Sequence, residues 1–199
     1  MTGKRICGVG INDSPTPIIK FEREGVKRKV VWKCPFYSRW HNMIHRCYNK
    51  NYPKGYYGKV TVYSEWLIFS KFKSWMESQD WEGKHLDKDI LGDGKEYSPE
   101  KCCFVPARIN TLINESRKNN GEMVNIRYIR GRYEAYVSDG LKIVSQSFDN
   151  IPDAVNFWVS IKEQIVKEET KEGIIRDALL DYYSKSRDRY LEMYKTGIF

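Results

Sequence analysis

The stretch that most constrains this chain is KHLDKDILGDGKEYSPEKCCFVPARINTLINESRK, residues 84–118. Its pattern changes from extended to turn-rich, back to extended, and then to helical. The spacing predicts a strand over 85–91, a glycine-rich loop over 92–98, a strand over 101–105 and a helix over 107–118. Pro106 marks the turn from strand to helix. Ile109, Leu112 and Ile113 form the apolar stripe of that helix, and Asn110, Asn114 and Arg117 a polar stripe beside it. A strand–loop–strand–helix unit places the chain in the α+β class. Such a unit can hold one divalent metal between a strand acid and a helix side chain. A metal so placed stabilises the leaving oxygen in phosphodiester cleavage.

Two helices are predicted ahead of this unit. In PFYSRWHNMIHRCY, residues 35–48, Phe36, Trp40, Met43, Ile44 and Cys47 fall on one helix face, with Arg39, Asn42, His45 and Arg46 opposite. Residues 49–63 hold turn residues and then a short strand, Val60 to Tyr63. Ser64 is placed to cap a second helix, with Glu65 in its first turn and Trp66, Phe69, Phe72, Trp75 and Met76 as its apolar stripe. After residue 121 the pattern is strand-rich. Arg132–Ser138 and Leu141–Phe148 flank Asp139-Gly140, a hairpin signal. A helix over 152–168 opens near Pro152, and a long charge-balanced helix is expected over 171–195. The domain reading is a basic arm or extended segment at 1–34, a ββα domain with two preceding helices at 35–120, a three-stranded sheet plus helix at 121–168, and a terminal helix at 169–199.

Charge is unevenly placed along these segments. Residues 1–60 carry 13 Lys and Arg against 3 Asp and Glu, whereas the whole chain has a net charge of only +8. The basic excess therefore lies in the first third, which implies a polyanion partner, nucleic acid being the common one. A solvated basic surface is the plainer alternative. With 41% hydrophobic and 14% aromatic residues, wholesale disorder is excluded. No apolar run approaches the roughly 18 residues of a membrane span, and the N-terminus shows no signal-peptide core. Five cysteines without paired spacing suggest thiols in a reducing cytoplasm.

Several motifs together resemble the HNH-like (ββα-metal) nucleases, and most closely the phage-encoded proteins related to homing endonucleases. The residues are Cys34-Pro35, Tyr37, Trp40, Met43 and Arg46-Cys47-Tyr48, then Glu65-Trp66, Phe69, Phe72 and Trp75. They continue through Leu86-Asp87-Lys88-Asp89-Ile90-Leu91, Tyr97-Ser98-Pro99-Glu100, Cys102, Phe104-Val105-Pro106, Asn110 and Asn114. The resemblance covers about residues 8–118. It implies a metal-dependent DNA endonuclease that nicks or cuts duplex DNA with Mg²⁺ or Mn²⁺. Asp87, Asn110 and Asn114 take the metal-ligand positions. Lys88 stands where an active HNH motif carries its general-base His, and the central Asn of the motif falls near Lys101. Lys88 is a poor base unless its pKa is strongly lowered, and binding the scissile phosphate is its other reading. His85, two residues before Asp87, offers an imidazole from the same strand face. The departure at Lys88 keeps open a catalytically degenerate protein that binds DNA or a host protein without cleavage. A phage-encoded protein of this kind is expected in the cytoplasm of the infected cell.

Residues 122–165 bear a weaker resemblance to the three-stranded-sheet-plus-helix DNA-binding domain of ethylene-response factors, through Arg132-Tyr133-Glu134-Ala135, Phe148 and the Asp153-Ala154 helix start. Such a sheet reads the major groove with basic strand residues. The DNA-contact candidates are Lys27, Arg28, Lys29, Arg39, Arg46, Lys54, Lys59, Arg117, Arg127, Arg130 and Arg132, and the expected partner is double-stranded DNA. The terminal helix, with its Tyr and Leu stripe, is the candidate surface for a homodimer or a host protein. Plainer readings stand beside these: a solvated strand end for Asp87, Lys88 and Asp89, an exposed residue for His85, and polar faces or caps for Asn110 and Asn114. His41, His45 and Cys47 have helical spacing for zinc, but Cys47 lies on the apolar stripe and no Cys-x₂-Cys pair exists. Cys102 and Cys103 point to opposite strand faces and read as small buried hydrophobes.

Overall fold

The computed structural model describes residues 5–53, 57–116, 125–138 and 142–197, with the side chains of 114–116 outside the described set. The fold is mixed α+β, with small sheets and a long C-terminal helix. It divides into two compact units, one of residues 1–82 with 86–104, the other of 83–85 with 105–199.

The first unit opens with a hairpin, β1 (Ile19–Glu24) paired antiparallel to β2 (Lys27–Lys33). Gly25 leads its two-residue turn at φ +64°, a conformation that favours glycine. Of the two readings of this segment, arm or extended, the extended one holds over residues 19–33. Next comes α1 (Pro35–Tyr48), which starts at Pro35 because a proline ring presets φ where no intrahelical N–H is needed. Tyr37, Trp40, Met43, Ile44 and Cys47 line its buried face, while Phe36, expected on that stripe, is only half-buried. The buried Trp40 Nε1–H donates to the Trp66 carbonyl at 2.7 Å.

The second expected helix is broken in two. Ser64–Leu67 is a 3₁₀ turn, and α2 (Phe69–Glu77) begins only after Ile68, whose φ of −97° and ψ of 123° are extended. The cause is long-range. Ile11 N–H donates to the Leu67 carbonyl at 2.8 Å, and Phe69 N–H donates to the Ile11 carbonyl at 2.9 Å. A strand-like bridge between Ile11 and Ile68 holds the extended residue. Gly10 fits this segment onto α1, since a Cβ there would stand 3.3 Å from both Ile44 and Trp40.

Four short strands follow, β3 (Thr61–Val62), β4 (His85–Asp87), β5 (Glu96–Tyr97) and β6 (Cys103–Val105), all of this unit except the end residues His85 and Val105, which belong to the second. β3 pairs parallel to β5, and β4 forms a two-stranded sheet with β6. The strand expected over 85–91 stops at Asp87 because the chain turns there, as described below. Trp66, Phe69, Phe72, Met76, Tyr97, Cys102 and Phe104 join the α1 face in one buried cluster.

The second unit contains α3 (Ala107–Ser116), the antiparallel sheet β7 (Ile126–Ile129), β8 (Arg132–Ser138) and β9 (Ile143–Phe148), and the helices α4 (Ile151–Glu169) and α5 (Ile174–Thr196). β7 and β8 join through Arg130 and Gly131, at φ +51° and +82°. The two-residue loop with both centres left-handed matches the right-handed twist of the strands it joins. β8 and β9 pair from Tyr133–Phe148 to Ser138–Ile143, so the expected hairpin forms. Its Asp139-Gly140 turn lies outside the described residues. Asn150 caps α4 by accepting the Asp153 N–H at 2.9 Å while its amide donates to the Asp153 carboxylate at 2.8 Å. Fully buried Trp158 packs edge-on against Tyr183 and Tyr190, with centroids 5.9 and 5.7 Å away. The aromatic stripe of α5 is thus engaged against α4 within its own unit rather than presented outward.

Candidate functional site

Asp87 ends β4 as a buried carboxylate. Its Oδ1 accepts two backbone N–H groups, from Asp89 at 2.7 Å and Ile90 at 2.8 Å. An aspartate that receives the amides of its second and third successors folds the chain into an Asx-type turn, which terminates the strand. Lys88 follows with a buried side chain, its Nζ 3.0 Å from Asp89 Oδ1 and 5.7 Å from the Tyr97 ring centroid. Two glycines let the loop close over this pair. A Cβ on Gly92 would come within 2.8 Å of the Lys88 carbonyl oxygen, and one on Gly94, at φ +77°, would collide with Asp89 Oδ1.

The electrostatics of this loop are those of an interior. Burial pushes the Cys47 thiol up to about 12, against the opposing pull of the Lys88 and Arg46 charges. Burial pushes Cys103 to about 12 as well, with the Asp87 charge adding to the effect. Cys102 and Tyr97 are also raised, burial again being the largest cause. These groups stay protonated at neutral pH and behave as packing residues, not nucleophiles. Lys88 thus lies beside protonated thiols, with Asp89 at 3.0 Å as a counter-charge and the Asp87 and Arg46 charges acting on the same cysteines.

Within the second unit the imidazole of His85 meets the amide of Asn110, Nδ1 to Nδ2 at 3.4 Å. His85 is exposed and Asn110 half-buried on α3, whose Ile109, Leu112 and Ile113 are buried. As placed, the Asn110 Nδ2–H donates to Nδ1, which leaves the ring proton on Nε2; turning the amide so that Oδ1 faces the ring makes Nδ1–H the donor and leaves the lone pair on Nε2. Asn114 lies on α3 one turn further on, and its side chain is outside the described set. Arg108 anchors the helix, with an ion pair to Glu169 at 2.7 Å.

The basic candidates fall into separate groups. Lys27, Arg28 and Lys29 lie on β2, every residue of which is exposed. Arg46 is exposed on α1 and its Nε donates to the Tyr52 hydroxyl at 3.4 Å, Arg39 is half-buried, and Lys59 is exposed in the turn before β3. Lys54 and Arg117 lie outside the described residues. In the second unit, Arg127 pairs with Glu134 at 3.0 Å and lies 5.0 Å from the Tyr136 ring. Arg132 pairs with Asp149 at 3.3 Å, and Arg130 occupies the β7–β8 turn. Two strand arginines of this sheet thus carry acidic partners. On α1, His41 stacks on His45 at 4.2 Å, and burial, then the charges of His45 and Lys33, lower its pKa. Among the described residues, no group of three or more His, Cys, Asp and Glu side chains gathers to hold a metal ion. No helix among them is long and apolar enough to cross a membrane.

Sequence reasoning passed over two features. Asp89 is the counter-ion of Lys88, a link that the adjacent charges in LDKD alone do not reveal. The register of β1 against β2, which decides which charges share a face, has no local signal except the Gly25-Val26 turn. No family model matches this chain, and neither a curated protein nor a solved structure is detectably similar to it.

Proposed function

We propose that this chain is a DNA-binding protein of the HNH-like endonuclease type, acting on duplex DNA. The observation that carries the binding reading is the β1–β2 ribbon. It is a two-stranded antiparallel element that is almost wholly exposed and bears six basic and two acidic side chains. A ribbon of this width fits the major groove, and its cations displace the counterions of the phosphate backbone.

Cleavage is the second half of the proposal, and the His85–Asn110 contact supports it. With the Asn110 amide turned so that its Oδ1 accepts from Nδ1–H, Nε2 takes a proton from a water molecule. The water oxygen attacks phosphorus, and the bond to the departing sugar oxygen breaks. The resemblance implies Mg²⁺ or Mn²⁺ at Asp87, Asn110 and Asn114. Asp87 does not suit that role, since its carboxylate is buried and Oδ1 holds the turn. Asp87 as placed thus does not fit a resident ion. Lys88, buried beside Asp89, suits neither base nor phosphate clamp, which favours the non-cleaving binder as the alternative.

One pair of measurements tests both halves. Wild type is expected to shift duplex DNA in a salt-sensitive way, and to nick supercoiled plasmid in a manner abolished by His85→Ala. The nicking assay is run with Mg²⁺, with Mn²⁺ and with EDTA, and with Asp87→Ala beside wild type. Absence of DNA affinity refutes the whole reading. Affinity without nicking under any of these conditions refutes cleavage and leaves the binder.

A further inference from the structure

The two strands of the ribbon set their charges on opposite faces in unequal ways. From Phe21 onward the register is Phe21 with Val30, Glu22 with Lys29, Arg23 with Arg28 and Glu24 with Lys27. Side chains alternate between faces along a strand, so two of these rows lie on each face. One face holds Glu22 opposite Lys29 and Glu24 opposite Lys27, and its four charges cancel. The other holds Phe21, Val30, Arg23 and Arg28, with two positive charges directly opposed and no acid in its rows. Like charges facing each other across a strand pair destabilise the ribbon, whereas opposite charges stabilise it.

Three further observations fit an anionic occupant for the second face. Phe21 and Val30 remain 40% and 53% exposed. The Arg28 guanidinium lies 3.8 Å from the Phe21 ring centroid, which holds its planar donors in a fixed orientation. A bulge between Lys20 and Phe21 ends this regular block on the side away from the turn.

We propose that the Phe21–Arg23–Arg28–Val30 face of the ribbon is the surface that seats the phosphate backbone of duplex DNA, with Arg23 and Arg28 as its two phosphate contacts. Lys27 and Lys29, although adjacent to Arg28 in sequence, belong to the neutral face and contribute little. The inference rests on the reading of the chain as a DNA-binding protein, and reassigns its contacts within the KRK cluster. Phosphate replaces the missing counter-charge between the two guanidinium groups, so binding removes a repulsion that the free ribbon carries.

The test compares two variants of equal net charge in the full chain, with a short mixed-sequence DNA duplex as probe and affinity measured across a salt series. Two phosphate contacts account for a slope of about 1.8 in log Kd against log salt, and roughly 30-fold in affinity near 0.15 M salt. Arg23→Ala/Arg28→Ala is expected to show both losses. Lys27→Ala/Lys29→Ala is expected to lose under about 3-fold, less than one full phosphate contact. A third variant, Arg23→Glu, separates binding from folding. It places opposite charges across the strands, so the ribbon melts no earlier than wild type while DNA affinity falls. Equal losses for the two double variants overturn the face assignment, because diffuse charge then suffices. A wild type that binds an acidic protein or RNA in preference to the DNA duplex overturns the choice of occupant. A wild type with no affinity for DNA refutes the underlying functional reading instead.

Discussion

A methyl group added at Gly94 probes how firmly the Asp87–Gly94 loop is locked. Gly94 has φ +77° and Gly8 has φ +79°, so alanine meets nearly the same backbone strain at both. That strain is about 1–2 kcal/mol. The surroundings differ. Nothing lies within 4 Å of a Cβ on Gly8, while a Cβ on Gly94 collides with the Asp89 carboxylate oxygen that binds Lys88 Nζ at 3.0 Å. Moving that oxygen breaks a charge-assisted bond, worth about 1.5–3 kcal/mol. The side chains are 6% and 21% exposed, so solvent screens the bond only partly, and the lower end of the range applies. Gly8→Ala is therefore expected to cost about 1.5 kcal/mol and Gly94→Ala about 3 kcal/mol. Urea unfolding followed by tryptophan emission reads the difference, since Trp40, Trp66 and Trp75 all pack in this unit. A gap of about 1.5 kcal/mol separates the midpoints by roughly 0.7 M at a slope of about 2 kcal/mol/M. Adding Asp89→Ala to both variants should erase the gap. Equal midpoints for the two single variants, or a gap that survives the loss of the Asp89 carboxylate, would refute the locking argument.

Other consequences are equally direct. Trp40→Phe removes the 2.7 Å bond to the Trp66 carbonyl and part of a fully buried ring, and should destabilise by about 2–3 kcal/mol in the same urea assay. Asn150→Ala removes the cap of α4 and should cost about 1 kcal/mol, read as a lower thermal midpoint; no change would mean that the Asp153 N–H finds another acceptor. The buried thiols set the alkaline limit. Cys47 has a folded pKa of about 12 against an ordinary 9.0, so the folded state retains a proton that the unfolded state loses. Its contribution is intact below pH 9 and falls between pH 9 and 12, by about 1.4 kcal/mol per pH unit. Cys47→Ala should flatten that limb of the stability curve, and an unchanged limb would count against burial as the cause.

The helices were legible wherever one face had to be apolar. The bounds of α1 follow from Pro35 and a stripe of which Trp40, Met43, Ile44 and Cys47 are buried, with Tyr37 in the place expected of Phe36, and α4 and α5 were placed to within a few residues. The hairpin of β8 with β9 was legible too, because alternation on either side of Asp139-Gly140 signals it locally. Features that depend on distant partners were hidden. Nothing near Ile68 announces that Ile11 will hold it extended, and the alternation in LDKDIL reads as strand until Asp87 is seen to accept two of its own following amides. The site was legible as a list of residue types but not as contacts. His85 and Asn110 meet although 25 residues separate them, while the ammonium of Lys88 turns to the neighbouring Asp89.

The parallel pairing of β3 with β5 bears on how the chain is made. Thr61 and Val62 find their partners Glu96 and Tyr97 only after the intervening helix, strand and loop have been synthesised. Until then the aromatic face of α1 has no lid from Tyr97, Cys102 or Phe104. Tyr97 follows Trp40 by about 60 residues, which a ribosome adds in roughly 3–12 s. For that interval the aromatic cluster of the nascent chain is only partly covered, by Trp66, Phe69 and Phe72, and the first unit is open to a hydrophobic-segment chaperone. Slowing translation between codons 48 and 97 should therefore lower the soluble yield of this protein more than the same pause placed after codon 105.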